Sequence, residues 1–236
     1  TPESRGAIVP QFESNPDSSY NFDKPLVNPE TLNDYEIGAA YRNGGWRVGI
    51  NFFYMDFKDE IIKEGQLDRF GQPITGNAER TLHTGIEFLA GARIFSKLTM
   101  SGNLMLSRNE LKKYAVYASD GSRQLLDGNP IAGFPNALAN GRLTFADFGL
   151  TASLAVQYAG KQYTDNFKNE QNTVDSYTVF NGMIGYTFAR GFMLGGLSLQ
   201  LHVQNLFDKL YIMHGEGEDF FPAAERQIFV NAKYEL

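Results

Sequence analysis

Alternation of apolar and polar residues with a period of two is the feature that most constrains the fold of this chain. In residues 227–236, Ile228 and Val230 fall on one face, and Asn231 and Lys233 fall on the other. Successive side chains of a strand point to opposite faces of its sheet, so this pattern predicts a strand whose two faces meet different media. The alternation predicts nine strands, at about residues 32–42, 46–58, 78–93, 97–110, 134–146, 149–164, 175–188, 197–204 and 227–236.

The seventh of these stretches is less regular than the others. Phe180, Ile184 and Tyr186 share one face, but Tyr177 and Val179 in its first half are out of phase with them. An extra residue in one strand of an antiparallel pair shifts the side-chain phase in this way. We therefore predict a β-bulge in the first half of this strand.

The connectors between the predicted strands alternate between short and long. Such an arrangement places the short turns at one edge of an antiparallel sheet and the long loops at the other. The short connectors are residues 43–45, 95–96, 147–148 and 189–195, and the long ones are residues 59–77, 111–133, 165–174 and 207–225. The sequence thus predicts an all-β, antiparallel transmembrane β-barrel wall, with short turns in the periplasm and long loops outside.

Charge in the middle of the predicted strands lies on one face, which carries Glu36, Arg47, Glu87, Arg142 and Lys233. The other face is almost free of charge. A charged side chain at the bilayer midplane costs about 2–4 kcal/mol, so the uncharged face suits contact with lipid.

Composition narrows the alternatives. The chain has 236 residues, no cysteine and a formal net charge of −6, which disfavours disulfide frameworks and nucleic-acid partners. No apolar run approaches the roughly 18 residues that a spanning helix needs, so any membrane crossing uses strands. Residue 1 is Thr, and we expect a mature or truncated chain.

Several segments, in order, resemble the TonB-dependent outer-membrane receptor family. Residues 28–30 (Asn-Pro-Glu) and 35–38 (Tyr-Glu-Ile-Gly) are similar to its "PE…YE(L/I)G" element. Residues 205–211 (Asn-Leu-Phe-Asp-Lys-Leu-Tyr) are similar to the "NLFDkkY" signature that precedes the last external loop. The final Tyr-Glu-Leu resembles the end of the last strand, although the family usually ends in Phe.

The resemblance implies about nine C-terminal strands of a 22-stranded barrel in the outer membrane of a Gram-negative bacterium. Residues 1–30 would form an N-terminal loop region or the end of a preceding barrel segment, and residues 31–236 the C-terminal portion of the barrel. The implied function is energised import of a metal chelate, with a ferric siderophore as the first candidate. The implied partners are that chelate, TonB through a plug domain absent from this stretch, outer-membrane lipid and lipopolysaccharide, and the barrel-assembly machinery.

Candidate site residues follow from these assignments. Four charged residues on the polar face would contact the plug from the barrel lumen: Glu36, Arg47, Glu87 and Arg142. Six aromatic or basic residues in the long loops would contact the chelate, because cations pair with anionic chelates and rings stack on them: Arg69, Phe70, Tyr117, Arg123, Tyr211 and His214. Ordinary solvation of a lumen or loop is the alternative for each of these residues.

The sequence favours neither catalysis nor a bound cofactor or metal. His83, His202 and His214 lack ligand-like spacing, and no nucleophile elbow or phosphate-binding loop is present. The acidic residues 215–219 lack the alternation of a calcium loop. Two other functions stay open at this point: a passive porin-type or adhesin-type barrel, and a soluble carbohydrate-binding β-domain.

Overall fold

The computed structural model describes residues 12–14, 20–25, 27–117, 121–189 and 196–235. In this part of the chain, nine long strands form one antiparallel sheet with each strand beside its neighbours in sequence. The strands are β1 (Thr31–Asn43), β2 (Trp46–Leu67), β3 (Pro73–Phe95), β4 (Leu98–Lys113), β5 (Ala137–Asp147), β6 (Leu150–Ala159), β7 (Tyr177–Thr187), β8 (Leu197–Gln204) and β9 (Gln227–Tyr234). The predicted all-β antiparallel fold is confirmed.

The apolar face of the sheet is uncovered. Val230 of β9 lies opposite Leu201 of β8, which lies opposite Ile184 of β7, so their side chains share one face. Ile37 and Val230 are each 73% exposed. A water-soluble sheet would bury such side chains against a second layer, whereas lipid can cover them.

The short connectors are tight turns, and each lies within one residue of its predicted place wherever it is described. Between β5 and β6, Phe148 and Gly149 adopt φ angles of 44° and 84°. A Cβ atom on Gly149 would lie 2.4 Å from the Thr187 carbonyl oxygen, so this turn requires glycine. Most of the predicted connector at residues 189–195 lies outside the described residues.

The prediction of a polar connector over residues 59–77 is wrong, because β2 and β3 continue through most of it. Only residues 68–72 form the turn between these two strands. Asp59 has a φ of 55°, and the strand changes its side-chain phase there, so that Glu60 points to the polar face. This phase change breaks the period-two pattern that marks a strand.

The predicted bulge in β7 is also wrong. β7 pairs with β6 without a register shift from Tyr177 opposite Ala159 to Tyr186 opposite Leu150. Val179 is buried on the polar face, and the Tyr177 ring lies 4.4 Å from that of Tyr211. The apolar residues are out of phase because the connector before β9 covers this end of the polar face.

The long connectors contain short hairpins of their own. Ala115–Tyr117 pairs with Arg123–Leu125, Gln162–Tyr163 with Thr173–Val174, and Ile212–Glu216 with Asp219–Pro222. Within the region predicted as loop at residues 1–30, Phe12–Ser14 pairs with Tyr20–Pro25, and residues 1–11, 15–19 and 26 lie outside the described residues. None of the described residues belongs to a helix long and apolar enough to cross a membrane.

The buried apolar core lies at the long-connector end of the sheet. It joins the extensions of β2, β3 and β4 to the β4–β5 connector and consists of Ile62, Ala78, Leu111, Tyr114, Leu126 and Ile131. The β4–β5 connector is therefore packed against the sheet.

Candidate ligand-binding surface

Two predicted carboxylates are brought together on the polar face by an asparagine. The Asn51 amide Nδ2 donates a hydrogen bond of 2.7 Å to Glu36 and lies 3.5 Å from Glu87. The three residues occupy neighbouring strands, since Asn51 of β2 lies opposite Glu87 of β3 and Gly38 of β1. They form a negatively charged group on the wall.

The two predicted arginines lie apart from these carboxylates. Arg47 and Arg142 line one shallow depression of the polar face, between the short turns and the middle of the sheet. Neither makes an ion pair within the described part of the chain, so both guanidinium groups keep their donors free for another molecule or segment.

A larger cavity, of about 560 Å³, lies on the polar face beneath the connector between β8 and β9. Arg142, Gln157 and His202 line its wall, and Tyr211 and Met213 contribute from the connector. The Tyr211 ring packs on Tyr177, which holds it at the cavity edge. The cavity thus combines one cation, the carboxylate of Glu225, several neutral polar groups and an ordered aromatic ring.

A second cavity, of about 540 Å³, lies on the polar face of β1 to β5 and is more apolar. Phe53, Phe57 and Phe134 line it, together with His83 and Glu60. The sequence did not predict this site, because strict alternation places only polar residues on the polar face. The apolar run at residues 52–55 breaks that alternation and could have indicated apolar side chains on the polar face.

His83 is buried at the edge of this second cavity, on the polar face of the sheet. Its Nε2 lies 3.1 Å from Glu60 Oε2, and its Nδ1 lies 2.8 Å from Asn109 Oδ1. The rings of Phe57 and Phe134 contact it edge-on at 5.3 and 5.0 Å. His83 thereby fastens the β4–β5 connector to the extensions of β2 and β3.

Asn166, whose exposure is only 1%, links the β6–β7 connector to the β4–β5 connector and to the extension of β2. Its Nδ2 donates to the Lys63 carbonyl at 2.6 Å, and its Oδ1 accepts from the Ala132 amide at 2.9 Å. Its own carbonyl accepts a hydrogen bond from Asn129. A buried amide with both functional groups bonded fixes the relative positions of the segments that it joins.

The connector before β9 is fastened to the β6–β7 connector and to the extension of β2. Thr164 and Gly217 exchange two hydrogen bonds, of 2.6 and 2.8 Å. Glu216, which is 1% exposed, accepts from the Gly65 amide and lies 2.9 Å from the Lys63 ammonium. Glu216 belongs to the acidic run at residues 215–219, which the sequence alone would place in solvent. In the structure its carboxylate is instead buried and paired with Lys63.

Exposed charged side chains bond to one another within the connector between β6 and β7. Glu170 accepts hydrogen bonds from Lys161 and from the Tyr163 hydroxyl, at 2.5 and 2.7 Å. These two donors hold the pKa of Glu170 below its usual value. The same bond to Glu170 raises the pKa of the Tyr163 phenol, since the carboxylate stabilises the protonated hydroxyl.

Comparison with known proteins decides the family. The sequence model described as "TonB dependent receptor-like, beta-barrel" matches residues 4–206. The chain belongs to the TonB-dependent receptor family. The family comprises receptors and transporters of the Gram-negative outer membrane, and it is not a family of enzymes.

Curated relatives of this TonB-dependent receptor chain resemble it over only part of their own length. It is 27% identical over 208 residues to the ferric enterobactin receptor PirA of Pseudomonas aeruginosa, covering 82% of this chain and 26% of that protein. It is 31% identical over 150 residues to the ferrichrome outer membrane transporter/phage receptor of Escherichia coli, covering 61% and 19%. The chain thus spans about a quarter or less of these relatives.

Solved structures share the fold. The siderophore receptor PiuA of Acinetobacter baumannii aligns with a TM-score of 0.72 at 20% identity, covering 93% of this chain and 30% of that one. The ferric yersiniabactin uptake receptor FyuA of Yersinia pestis gives a TM-score of 0.68 at 21% identity, covering 89% and 30%. The nine strands therefore match a part of a TonB-dependent receptor barrel.

Of the six residues predicted to contact a ligand in this TonB-dependent receptor, Tyr211 alone lines one of the two cavities described above. Arg69 lies over the Phe70 ring at the apex of the β2–β3 hairpin, and Tyr117 lies opposite Arg123 in an exposed hairpin. The sixth, His214, stacks on Phe221 at 4.5 Å and is exposed. The structure does not bring the six together.

Proposed function

We propose that this chain forms part of an outer-membrane receptor that binds a ferric siderophore at its long-connector end and imports it actively. The cavity beneath the β8–β9 connector, with Arg142 and Tyr211 at its edge, is the observation that carries the proposal. A guanidinium group pairs with the anionic oxygens of a ferric chelate, and an aromatic ring packs on its planar groups.

The names of relatives support the iron chelate over other cargo. The curated relatives include a ferric enterobactin receptor, a ferrichrome transporter and a ferrioxamine receptor. The structural neighbours include a ferric citrate transporter and also a copper transporter, OprC. Most of these names specify iron, so a ferric siderophore is the first substrate to test.

The two faces and two ends of the sheet take roles that follow from this proposal. The polar face would line the lumen and meet a plug domain, with Glu36, Glu87, Arg47 and Arg142 as pairing residues. Residues 31–236 would form the C-terminal part of a 22-stranded wall, preceded by residues 1–30. Further partners would be TonB through the plug, outer-membrane lipid and lipopolysaccharide, and the barrel-assembly machinery.

Radiolabelled uptake tests the proposal directly. The intact receptor is expressed in a Gram-negative strain that lacks its own siderophore receptors, and uptake of ⁵⁵Fe bound to enterobactin, ferrichrome or ferrioxamine is measured. The expected result is saturable uptake of at least one ferric siderophore that stops on addition of a protonophore and on deletion of tonB.

Each other outcome overturns a defined part of the proposal. Uptake that persists without proton-motive force would indicate a passive porin-type barrel. Energised uptake of a copper chelate or haem, with no ferric siderophore transported, would retain the energised receptor and refute the substrate. Binding to host cells with no uptake of any chelate would indicate an adhesin.

A further inference from the structure

We propose that a series of unpaired arginines on the polar face forms a path along which an anionic ferric chelate crosses the lumen towards the short-turn end of the sheet. The residues, here called the arginine path, are Arg142, Arg47, Arg42 and Arg93. This inference rests on the proposed import of a ferric chelate. It narrows the cargo to chelates with several negative charges, such as those of catecholates and polycarboxylates.

Three members of the arginine path lie on one line across five strands. Arg142 of β5 lies opposite Ser101 of β4, which lies opposite Gly91 of β3. Gly91 in turn lies opposite Arg47 of β2, and Arg47 lies opposite Arg42 of β1. Residues directly opposite one another point to the same face of a sheet, so these three guanidinium groups share the polar face.

This line runs obliquely between the two ends of the sheet. Arg42 is the next-to-last residue of β1, beside the turn that leads into β2. Arg142 precedes Asp147, the last residue of β5, by five residues, or roughly 17 Å at about 3.3 Å per residue. The line therefore leads from the middle of the sheet at β5 to the short-turn edge at β1.

Small residues occupy the line between the arginines. Only Ser101 and Gly91 separate Arg142 from Arg47, over three strand spacings or about 14 Å. The Arg47 guanidinium lies over Gly91, since a Cβ atom there would be 3.9 Å from Arg47 Nε and Nη2. An anion moving along the line thus meets no bulky side chain between these two arginines.

Three depressions of the polar face follow one another and share residues of the arginine path. Arg142 lines both the cavity beneath the β8–β9 connector and the shallow depression that also contains Arg47. Arg47 also lines a wider depression beside the short turns, together with Arg42 and Arg93. The Arg93 amide donates a hydrogen bond of 2.8 Å to the Gly45 carbonyl, which keeps Arg93 beside the β1–β2 turn. The path thus connects the candidate chelate cavity with the short-turn end.

The arginine path carries positive charge without a partner. Its four residues are exposed, and none of them forms an ion pair or a side-chain hydrogen bond with a residue that the structure describes. The other arginines of the nine strands, Arg80 and Arg108, each pair with a carboxylate. The guanidinium donors of the path are therefore available to an anion.

The distribution of charge on the polar face selects an anion for this path. Arg42 and Arg47 lie directly opposite each other, and like charges so placed destabilise a sheet. The carboxylates of Glu36 and Glu87 meet at Asn51. Asn51 lies four residues beyond Arg47 on β2, or about 13 Å away, too far for these carboxylates to pair with the arginines. An anion with several oxygen atoms would accept from both guanidinium groups and relieve their repulsion.

The two ends of the arginine path differ in their relation to a plug domain. Arg47 and Arg142 are also the proposed pairing residues for the plug, so the path would be complete only after the plug has left them. Arg42 and Arg93 lie at the short-turn edge, where the chelate would leave for the periplasm. These two residues are therefore the ones to substitute.

Binding of a trianionic dye tests the arginine path without transport. The intact receptor in detergent is titrated with pyranine, a pyrene with three sulfonate groups, and binding is measured by fluorescence anisotropy. An exposed guanidinium paired with an anion contributes about two- to fivefold in affinity, so Arg42→Gln/Arg93→Gln should bind the dye roughly 4- to 25-fold more weakly. Lys168→Gln/Lys209→Gln removes two exposed cations from the long connectors and is the matched control, with wild-type affinity expected.

Uptake by cells tests the passage of the chelate. The wild type should import ⁵⁵Fe bound to enterobactin, a trianionic complex, in preference to neutral ferrichrome. For Arg42→Gln/Arg93→Gln, the maximal rate of uptake of the trianion should fall roughly twofold or more, because a cleft lined by cations concentrates anions. The half-saturation concentration should stay unchanged, since the cavity beneath the β8–β9 connector is intact.

Two sets of results would overturn the arginine path. Wild-type dye affinity in Arg42→Gln/Arg93→Gln, or an equal loss in its control, would refute the anion site. Weaker dye binding with an unchanged maximal rate of uptake would refute its role in passage. Folding is checked by heat-dependent gel mobility, and if the double variant misfolds, Arg42→Gln alone decides, with a loss of dye affinity of about two- to fivefold expected.

Failure of the proposed function gives a different result. A wild type that imports only neutral ferrichrome would refute the anionic cargo and retain the energised receptor. A wild type that imports no chelate would refute the proposed function, whereas dye binding would still decide whether the arginine path is an anion site.

Discussion

Gly217 lies against Gly65, so that a Cβ atom on Gly217 would be 2.2 Å from the Gly65 carbonyl oxygen. This close backbone contact joins the connector before β9 to the extension of β2. Residue 217 must be glycine for two reasons: a side chain has no space there, and the φ of 58° is one that other residues rarely adopt.

Gly217→Ala is expected to separate the connector before β9 from the extension of β2. The methyl group has no space, and the hydrogen bonds between residues 217 and 164 would break with it. Hydrogen–deuterium exchange of the intact receptor should show faster exchange at residues 63–65 and 164–166. Gly71→Ala is the control, since Gly71 also has positive φ but has nothing within 4 Å of its Cβ position; equal effects of the two substitutions would attribute the change to backbone strain alone.

Asn166→Ala should loosen the β6–β7 connector from both the β4–β5 connector and the extension of β2. It removes the acceptor for the Ala132 amide and the donor to the Lys63 carbonyl. Each buried group left without a partner costs about 1–3 kcal/mol. Local unfolding measured by proteolysis at the connectors should rise accordingly, whereas Asn169→Ala, whose side chain bonds only within its own connector, should leave proteolysis unchanged.

The ion pair between Lys63 and Glu216 should show measurable coupling in a double-mutant cycle. Glu216 is buried, so its attraction to Lys63 is screened less than that of an exposed pair. We expect a coupling energy of about 1–3 kcal/mol in the free energy of connector opening. The exposed pair Lys161 and Glu170 is the comparison and should give no measurable coupling; the reverse order would contradict the assignment of Glu216 as an internal tie.

Adjacent residues of β9 test which face meets lipid. Val230 lies on the apolar face and Asn231 on the polar face. Val230→Arg should cost about 2–4 kcal/mol in the free energy of folding into lipid vesicles, because it places a charge in hydrocarbon. Asn231→Arg should cost little. A urea titration of the intact receptor in vesicles measures both, and equal costs would argue against a lipid-covered apolar face.

Tyr211→Ala should weaken chelate binding if the cavity beneath the β8–β9 connector is used. An aromatic contact contributes about 0.5–1.5 kcal/mol, so affinity should fall roughly two- to twelvefold. Tyr117→Ala, at an exposed hairpin remote from this cavity, is the control. An unchanged dissociation constant for the Tyr211 variant, measured by tryptophan quenching or isotope binding, would place the ligand elsewhere.

The alternation of apolar and polar residues was sufficient to predict the nine strands of the antiparallel sheet. Along β9, each residue obeys the same rule, because one face meets an apolar medium and the other a polar one. The rule fails where a connector covers the polar face, as at Tyr177 and Val179, and where a positive φ at Asp59 changes the phase. At Tyr177 and Val179 a tertiary contact, and at Asp59 a local backbone conformation, determines which way the side chains point, rather than the media on the two sides of the sheet.

The ties between connectors could not be predicted in the same way. Asn166 contacts residues 103 positions away in sequence, and nothing in its neighbours distinguishes it from a solvated loop asparagine. Glu216 lies in an acidic run whose other two carboxylates, Glu218 and Asp219, are exposed. Their burial follows from the packing of three connectors on one another and on the extension of β2, which a single sequence does not encode locally.

The turn at the apex of the β2–β3 hairpin makes its hydrogen bonds within itself, through Asp68 to the amides of Phe70 and Gln72. The contacts of Lys63 and Gly65 with Glu216 lie nearer the sheet and involve no residue of this turn. Extra chain at an exposed tip adds little to the entropy cost of closing a loop. A reporter peptide grafted between Arg69 and Phe70 would therefore be displayed clear of the packed connectors, which offers a way to label the protein on intact cells while leaving the cavities undisturbed.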